Sequence, residues 1–193
     1  MRETVIDEWA SVAPPPPPSL QSVTVDPART ALLLMDFLGE VCTAAKRPRA
    51  AAVMPDLAAF TAEARRRGLA IVHTTTPHGD GSELATAIKP LPGEPVYPGK
   101  VDKFHGCDLE AYLRQRGVDT VIATGTSANG CLLFTVSGAV LRGFRAIVPI
   151  DAMPAATAYQ EQFVAWQIAN APVVRERAVL TRLSAINFAV PES

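Results

Sequence analysis

The stretch VIATGTSANGCLLFTVSGAVL (Val121–Leu141) joins an apolar run to a segment of helical pattern through a turn that carries Gly125 and Gly130. The spacing of the two glycines imitates a phosphate-binding loop. Such a loop continues with Lys and then Ser or Thr, which reach the phosphates and their magnesium ion, whereas here Cys131 and Leu132 follow. No Gly-x-Gly-x-x-Gly follows the first apolar strand either, so a nucleotide-binding reading lacks both of its fingerprints. What the turn offers instead is a cysteine at the start of a helix. The positive end of the helix dipole predicts a lowered thiol pKa there, and free N–H groups could hold the oxyanion formed when a thiolate attacks a carbonyl. The competing reading of Cys131 is a small buried hydrophobe.

Working outward, apolar runs alternate with amphipathic segments, the pattern of a parallel sheet with helices on its faces. TALLLMDF reads as a buried strand ending at Asp36, and LAIVHTTT, VDTVIATG and FRAIVPIDA read as further strands. Helices are expected in VMPDLAAFTAEARRRG, where Val53, Leu57, Phe60 and Ala64 repeat at helical spacing, and in DLEAYLRQRG, GCLLFTVSGAVLRG and YQEQFVAWQIAN. VVRERAVLTRLSAINF should add a last short strand and helix. Pro77 to Gly99, rich in Pro and Gly, reads as a long loop over one sheet edge. Tyr159, Phe163 and Trp166 form a stripe expected in the core or at a subunit interface.

Residues 1–28 form an arm centred on APPPPPS, whose five consecutive prolines impose extended geometry. Residues 29–193 form the single domain. Lys plus Arg number 18 against 19 for Asp plus Glu, which removes any bulk attraction to nucleic acid or an anionic membrane and leaves small molecules as the expected partners. The opening MRETVIDEWA has neither the basic nor the apolar region of a secretion signal, and no apolar run approaches the ~20 residues needed to span a bilayer. Cys42, Cys107 and Cys131 fit neither a paired framework nor a zinc pattern, so free thiols in a cytoplasmic protein are expected.

In an open parallel sheet, ligands bind beyond the carboxyl ends of the strands. Asp36 lies at one such end, flanked by Met35 and Phe37, and a carboxylate there is costly to bury without a cationic partner. Lys100 and Lys103 are both candidates. A thiol, a carboxylate and an ammonium group together make a nucleophile, a proton acceptor and a charge that favours thiolate. Cys42 could reach the same pocket or could serve packing. Cys107 opens an expected helix and suggests a cap-like role. His73 and His78 read as ordinary polar residues at the rim, and no metal site or cofactor is expected.

These motifs resemble the isochorismatase-like cysteine hydrolases, a family that includes nicotinamidases and N-carbamoylsarcosine amidases. The matching pieces are ALLLMDF, the long block DKFHGCDLEAYLRQRGVDTVIATGTSANGCLLFTVSGAVLRGFRAIVPIDAM and, more loosely, YQEQFVAWQIANAP, together spanning nearly all of residues 30 to 172. The resemblance implies a three-layer α/β/α sandwich with a mostly parallel, Rossmann-like sheet and a homo-oligomer. It also implies an Asp–Lys–Cys triad of Asp36, Lys103 and Cys131. The commonest family position for the lysine is occupied here by Pro98, but DKF resembles a branch of the family in which the lysine adjoins the phenylalanine, so Lys103 is the choice and Lys100 the reserve. A cis peptide is implied between Thr126 and Ser127, with the Ser127 and Cys131 N–H groups facing the oxyanion, and Phe37, Cys42 and Lys100 are candidates for substrate contact.

The metal-binding residues of nicotinamidases have no counterparts in VHTTTPHGDGSE, and isochorismatases proper lack the cysteine. The implied activity is therefore metal-free hydrolysis of a C–N bond in a small amide or N-carbamoyl compound through a thioester. The alternative is a non-catalytic family member acting in assembly or ligand binding.

Overall fold

A computed structural model of the chain describes residues 4–190. Six strands form one parallel sheet: β2 (Thr30–Met35), β3 (Ala70–Thr75), β4 (Val96–Pro98), β5 (Thr120–Gly125), β6 (Arg145–Pro149) and β7 (Ala178–Thr181), in the spatial order β4-β3-β2-β5-β6-β7. The chain builds outward from β2 to β3 and β4, then returns to the other side of β2 as β5. The switch point thus lies between β2 and β5, where Met35 stands beside Gly125 at the carboxyl ends. A crevice for a ligand is expected at that place.

Both faces of the sheet are covered, so its central strands are apolar throughout rather than alternating. Ala31, Leu33, Met35, Val121 and Ala123 pack on one side against α3 (Leu109–Gln115), α4 (Leu133–Leu141) and α5 (Ala158–Asn170), through Leu109, Leu113, Val136, Ala139, Val164 and Ile168. Leu32, Leu34, Ile122 and Ile147 pack on the other side against Leu57, Phe60 and Ala64 of α2 (Pro48–Arg66). This is the three-layer α/β/α architecture. Helix α2 begins at Pro48, a residue suited to a first helical turn, where its missing N–H removes no hydrogen bond.

The proline run carries no regular structure, but the end of the expected arm joins the domain. Gln21 N donates to Leu180 O at 2.9 Å and Thr181 Oγ1 donates to Gln21 O at 2.6 Å, while β1 (Val23–Val25) pairs in parallel with β8 (Ile186–Phe188). Val23 and Val25 enter the core beside α2. Before the prolines, Val5–Glu8 form a single helical turn, α1.

The structure corrects four local expectations. The Pro77 to Gly99 segment is not purely loop, since its end supplies the edge strand β4; Pro98 is tolerated because an edge strand can forgo a ladder donor. The tail after residue 173 gives two strands, β7 and β8, preceded by the short α6 (Val174–Arg177). Of the two places expected for Tyr159, Phe163 and Trp166, the core is excluded, since all three are exposed on this chain and the buried face of α5 is Val164, Ala165 and Ile168. His73 is no rim residue: it is buried in β3, where its Nε2 and Glu94 Oε2 lie 2.9 Å apart, whereas His78 is exposed.

Val173 centres a tight three-residue turn with φ 68° and ψ −50°, closed by Val174 N donating to Pro172 O at 2.8 Å. That conformation is strained for a β-branched residue. Val173 is 48% exposed, so little packing is lost on removing its side chain. Val173→Gly is expected to stabilise the fold by about 1 kcal/mol, read as a rise in the urea midpoint with unchanged slope.

Candidate active site

Asp36 is the first residue beyond β2 and adopts φ 58°, a left-handed conformation that Asp tolerates better than most residues. Its N–H donates to Thr74 O at 3.1 Å and its carbonyl accepts from Leu38 N at 2.9 Å, so the chain reverses sharply and Phe37 turns into the α2 side of the core. The turn leaves the Asp36 side chain partly accessible, at 17% exposure.

Lys103 comes from the loop between β4 and α3, yet it is 2% exposed. Its Nζ lies 2.8 Å from Asp36 Oδ1 and donates to Thr75 O at 3.2 Å and Gly99 O at 3.3 Å. Those three acceptors match the three protons of the ammonium group, which is how a buried lysine can remain charged. Thr74 Oγ1 adds a hydrogen bond to Asp36 Oδ1 at 3.2 Å.

The lysine loop is itself tied down. Lys103 N donates to the buried Thr135 Oγ1 of α4 at 3.1 Å, and Cys107 Sγ donates to Lys103 O at 3.0 Å. Phe104 N donates to Asp102 Oδ1 at 3.0 Å. Cys107 therefore braces the turn, while the residue at the N-cap of α3 is Asp108. Lys100 is exposed and makes no ion pair among the described residues.

From the other side, β5 ends at Gly125 and the Thr126–Ser127 peptide is cis. A wide helical turn over Ala128–Leu132 leads into α4, with a non-helical break at Gly130 (φ −116°, ψ −114°). Cys131 lies in that turn, 5% exposed, with Sγ 3.9 Å from Ser127 O. Ala128 N donates to Pro154 O at 3.1 Å, anchoring the turn to the segment before α5.

The lowered thiol pKa expected from the helix dipole is corrected. Burial pushes the Cys131 thiol up, the negative charge of Asp36 adds to the rise, and Lys103 pulls in the other direction without cancelling it. The resting side chain is thus a neutral thiol beside a carboxylate, and the helix-start effect is outweighed. The three residues are brought to one place, and their charges act on one another.

One of the expected substrate contacts is not at this place. Phe37 is fully buried among Leu32, Leu34, Leu57 and Ile88, so it packs the core and offers no surface to a ligand. Cys42 is half-buried against the α2 side of the core, its thiol also pushed up by burial, with the Arg47 charge opposing. Sequence reasoning missed Thr74, Thr75 and Thr135, which brace the carboxylate and the lysine. The only hint was the Thr run at the end of LAIVHTTT.

Gly125 is needed because β2 and β5 approach closely here. A Cβ built on it would lie 2.8 Å from Met35 Cβ and 3.1 Å from Met35 O, and a backbone oxygen cannot swing aside as a side-chain tip can. Gly125→Ala is expected to destabilise the fold by about 1 to 3 kcal/mol and to displace Asp36 from Lys103. Urea unfolding and the alkylation profile of Cys131 would read the two effects separately.

A buried thiol thus lies with a carboxylate–ammonium pair near the switch point of a doubly wound α/β sheet. The sequence model of the isochorismatase domain matches residues 30–177, and the chain belongs to that family. N-carbamoylsarcosine amidase of an Arthrobacter species is 38% identical over 69 residues, covering 35% of this chain and 26% of that protein, so the match spans about a quarter of the relative's length. Maleamate amidohydrolase of Pseudomonas putida is 30% identical, covering 62% of this chain and 70% of the relative. Among solved structures, a cysteine hydrolase from Pseudomonas syringae superposes with a TM-score of 0.74 at 21% identity, covering 86% of this chain and 94% of that one. N-carbamoylsarcosine amidase from Thermoplasma acidophilum gives 0.67 at 24% identity, covering 80% and 96%. At those identities the structural likeness is one of fold.

Proposed function

We propose that this chain hydrolyses a C–N bond in a small amide or N-carbamoyl compound, with Cys131 as nucleophile, Asp36 as proton acceptor and Lys103 as the charge that holds Asp36 in place. The observation that carries this reading is the buried Lys103–Asp36 ion pair, 2.8 Å long, whose charges act on the buried Cys131. The names of the two curated relatives, an amidase and an amidohydrolase, support the same reaction class.

A neutral thiol beside a carboxylate suits proton transfer concerted with attack, since the thiolate need not accumulate in the free enzyme. The Cys131 proton passes to Asp36 as sulfur bonds to the substrate carbonyl carbon. The oxyanion faces the turn that carries Ser127 and Cys131, where backbone N–H groups can receive it. Collapse breaks the C–N bond, and the nitrogen leaves as ammonia or an amine after taking the proton from Asp36. Water then attacks the thioester, Asp36 accepts its proton and returns it to sulfur, and the acid departs. Lys103 keeps its three acceptors and its charge throughout.

The test is a panel of primary amides and N-carbamoyl amino acids assayed for ammonia release, with acid quenching and peptide mass spectrometry of the protein. The expected result is a mass increment of the substrate acyl group confined to the Cys131 peptide. Ammonia release with no such adduct, and undiminished in Cys131→Ala, would overturn the scheme.

A further inference from the structure

Asp36 and Cys131 follow on the central strands β2 and β5, whereas Lys103 is delivered by a loop, and its reach to Asp36 depends on where that loop is held. The holding surface is one stripe of α4, the helix that follows Cys131. Thr135, Gly138 and the C-terminal cap Arg142, spaced three and four residues apart, share that face. Thr135 Oγ1 accepts from Lys103 N at 3.1 Å and donates to Val101 O at 3.4 Å. Arg142 Nη1 donates to Asp102 Oδ2 at 3.4 Å and to Gly138 O at 3.0 Å, and its guanidinium lies over the Phe104 ring, 5.1 Å from the centroid. Every residue from Val101 to Phe104 thus meets this one stripe.

Asp102 is the centre of the grip. Its Oδ1 accepts from Phe104 N at 3.0 Å and its carbonyl accepts from His105 N at 3.0 Å, so this residue closes the turn that presents Lys103. Gly138 lets the carboxylate lie against the helix: a Cβ built there would stand 2.6 Å from Asp102 Oδ1 and 2.8 Å from Oδ2. A glycine inside a helix is otherwise a poor choice, and here the carboxylate fills the place of the missing side chain. The contact with Arg142 is long, its two side chains are 27% and 29% exposed, and Arg142 also faces Glu110, with Nε 3.2 Å from Oε2. Such a partly solvated pair adds little stability; what it fixes is the place of the loop.

Resting on the proposed hydrolase reading, we infer that Asp102 is a positioning residue: with Gly138 and Arg142 it locks the Lys103 loop to the helix that follows Cys131, so that ammonium, carboxylate and thiol keep one fixed spacing. Asp102 touches no substrate and carries no proton.

The test is alkylation of Cys131 by iodoacetamide against pH, with kcat and KM on an amide that the wild-type protein cleaves, in Asp102→Ala, Asp102→Asn and Gly138→Ala. Lys103 holds the Cys131 thiol down against burial and the Asp36 charge. A loosened Lys103 therefore moves the Cys131 profile to higher pH, whereas the bare loss of a carboxylate charge would move it to lower pH, so the direction separates positioning from direct electrostatics. Asp102→Ala and Gly138→Ala are expected to move the profile to higher pH and to lower kcat about 10- to 100-fold, the scale of a misplacement near 1 Å, with KM little changed. Asp102→Asn, which keeps an acceptor for Phe104 N, should recover most of both. A merely structural role would lower the urea midpoint and leave the profile of the folded protein in place.

A profile that stays in place or moves to lower pH in folded Asp102→Ala or Gly138→Ala would overturn this inference, and the hydrolase reading stands if Cys131 still gains the acyl group of a substrate. No acyl group on wild-type Cys131 from any amide, with a profile that does move to higher pH in the variants, would bring down the hydrolase reading alone.

Discussion

Cys131→Ala is expected to reduce turnover of any amide substrate by at least about 10³-fold, the scale seen when a covalent nucleophile is removed and only binding and oxyanion contacts remain. The loss should appear in kcat with little change in KM, because the thiol contributes to the transition state far more than to ground-state binding. Stability should move little, since the substitution removes one sulfur atom from a site bounded by a loose 3.9 Å contact to Ser127 O. Equal urea midpoints for the two proteins would show that the lost activity reflects chemistry and not unfolding. Ammonia release within a few-fold of wild type would remove the nucleophile from the scheme.

Lys103→Met has the largest expected effect on stability. The ammonium group is 2% exposed and its attraction for Asp36 is what makes that carboxylate tolerable beneath the surface. Methionine fills similar volume but leaves Asp36 without its cation, and removing one partner of a buried pair costs about 3 to 5 kcal/mol. Asp36 retains 17% exposure and the Thr74 hydroxyl, so the lower end, about 3 kcal/mol, is expected. In a chain of this size that corresponds to a fall in Tm of roughly 6 to 12 °C. Asp36→Asn with Lys103→Met together should recover much of this loss, because no uncompensated charge then remains.

The layer order and the site's position could be read from the sequence because both depend on short-range signals. The all-apolar run Leu32 to Met35 followed by Asp36 can only be a buried strand ending in a costly charge, and the Gly125 to Cys131 turn can only join a strand to a helix. The lysine was narrowed to two by proximity, whereas its burial depends on acceptors from Thr75 and Gly99, which are distant in sequence or lie in a segment with no period. The dipole argument for Cys131 gave the wrong direction because it presumed a partly solvated thiol. Burial and the Asp36 charge, both properties of the assembled fold, dominate. Phe37 looked available beside Asp36 until the left-handed turn sent it into the core.

The central claim is that Cys131 and Asp36 are electrostatically coupled at a single site. The direct measurement is the rate of Cys131 alkylation by iodoacetamide against pH, read by peptide mass spectrometry in the wild-type protein and in Asp36→Asn, with Cys107 as the internal reference. Because the Asp36 charge raises the thiol pKa and Lys103 lowers it, removing the carboxylate charge is expected to shift the Cys131 profile to lower pH. A Cys131 profile unmoved by Asp36→Asn, or moved to higher pH, would contradict it.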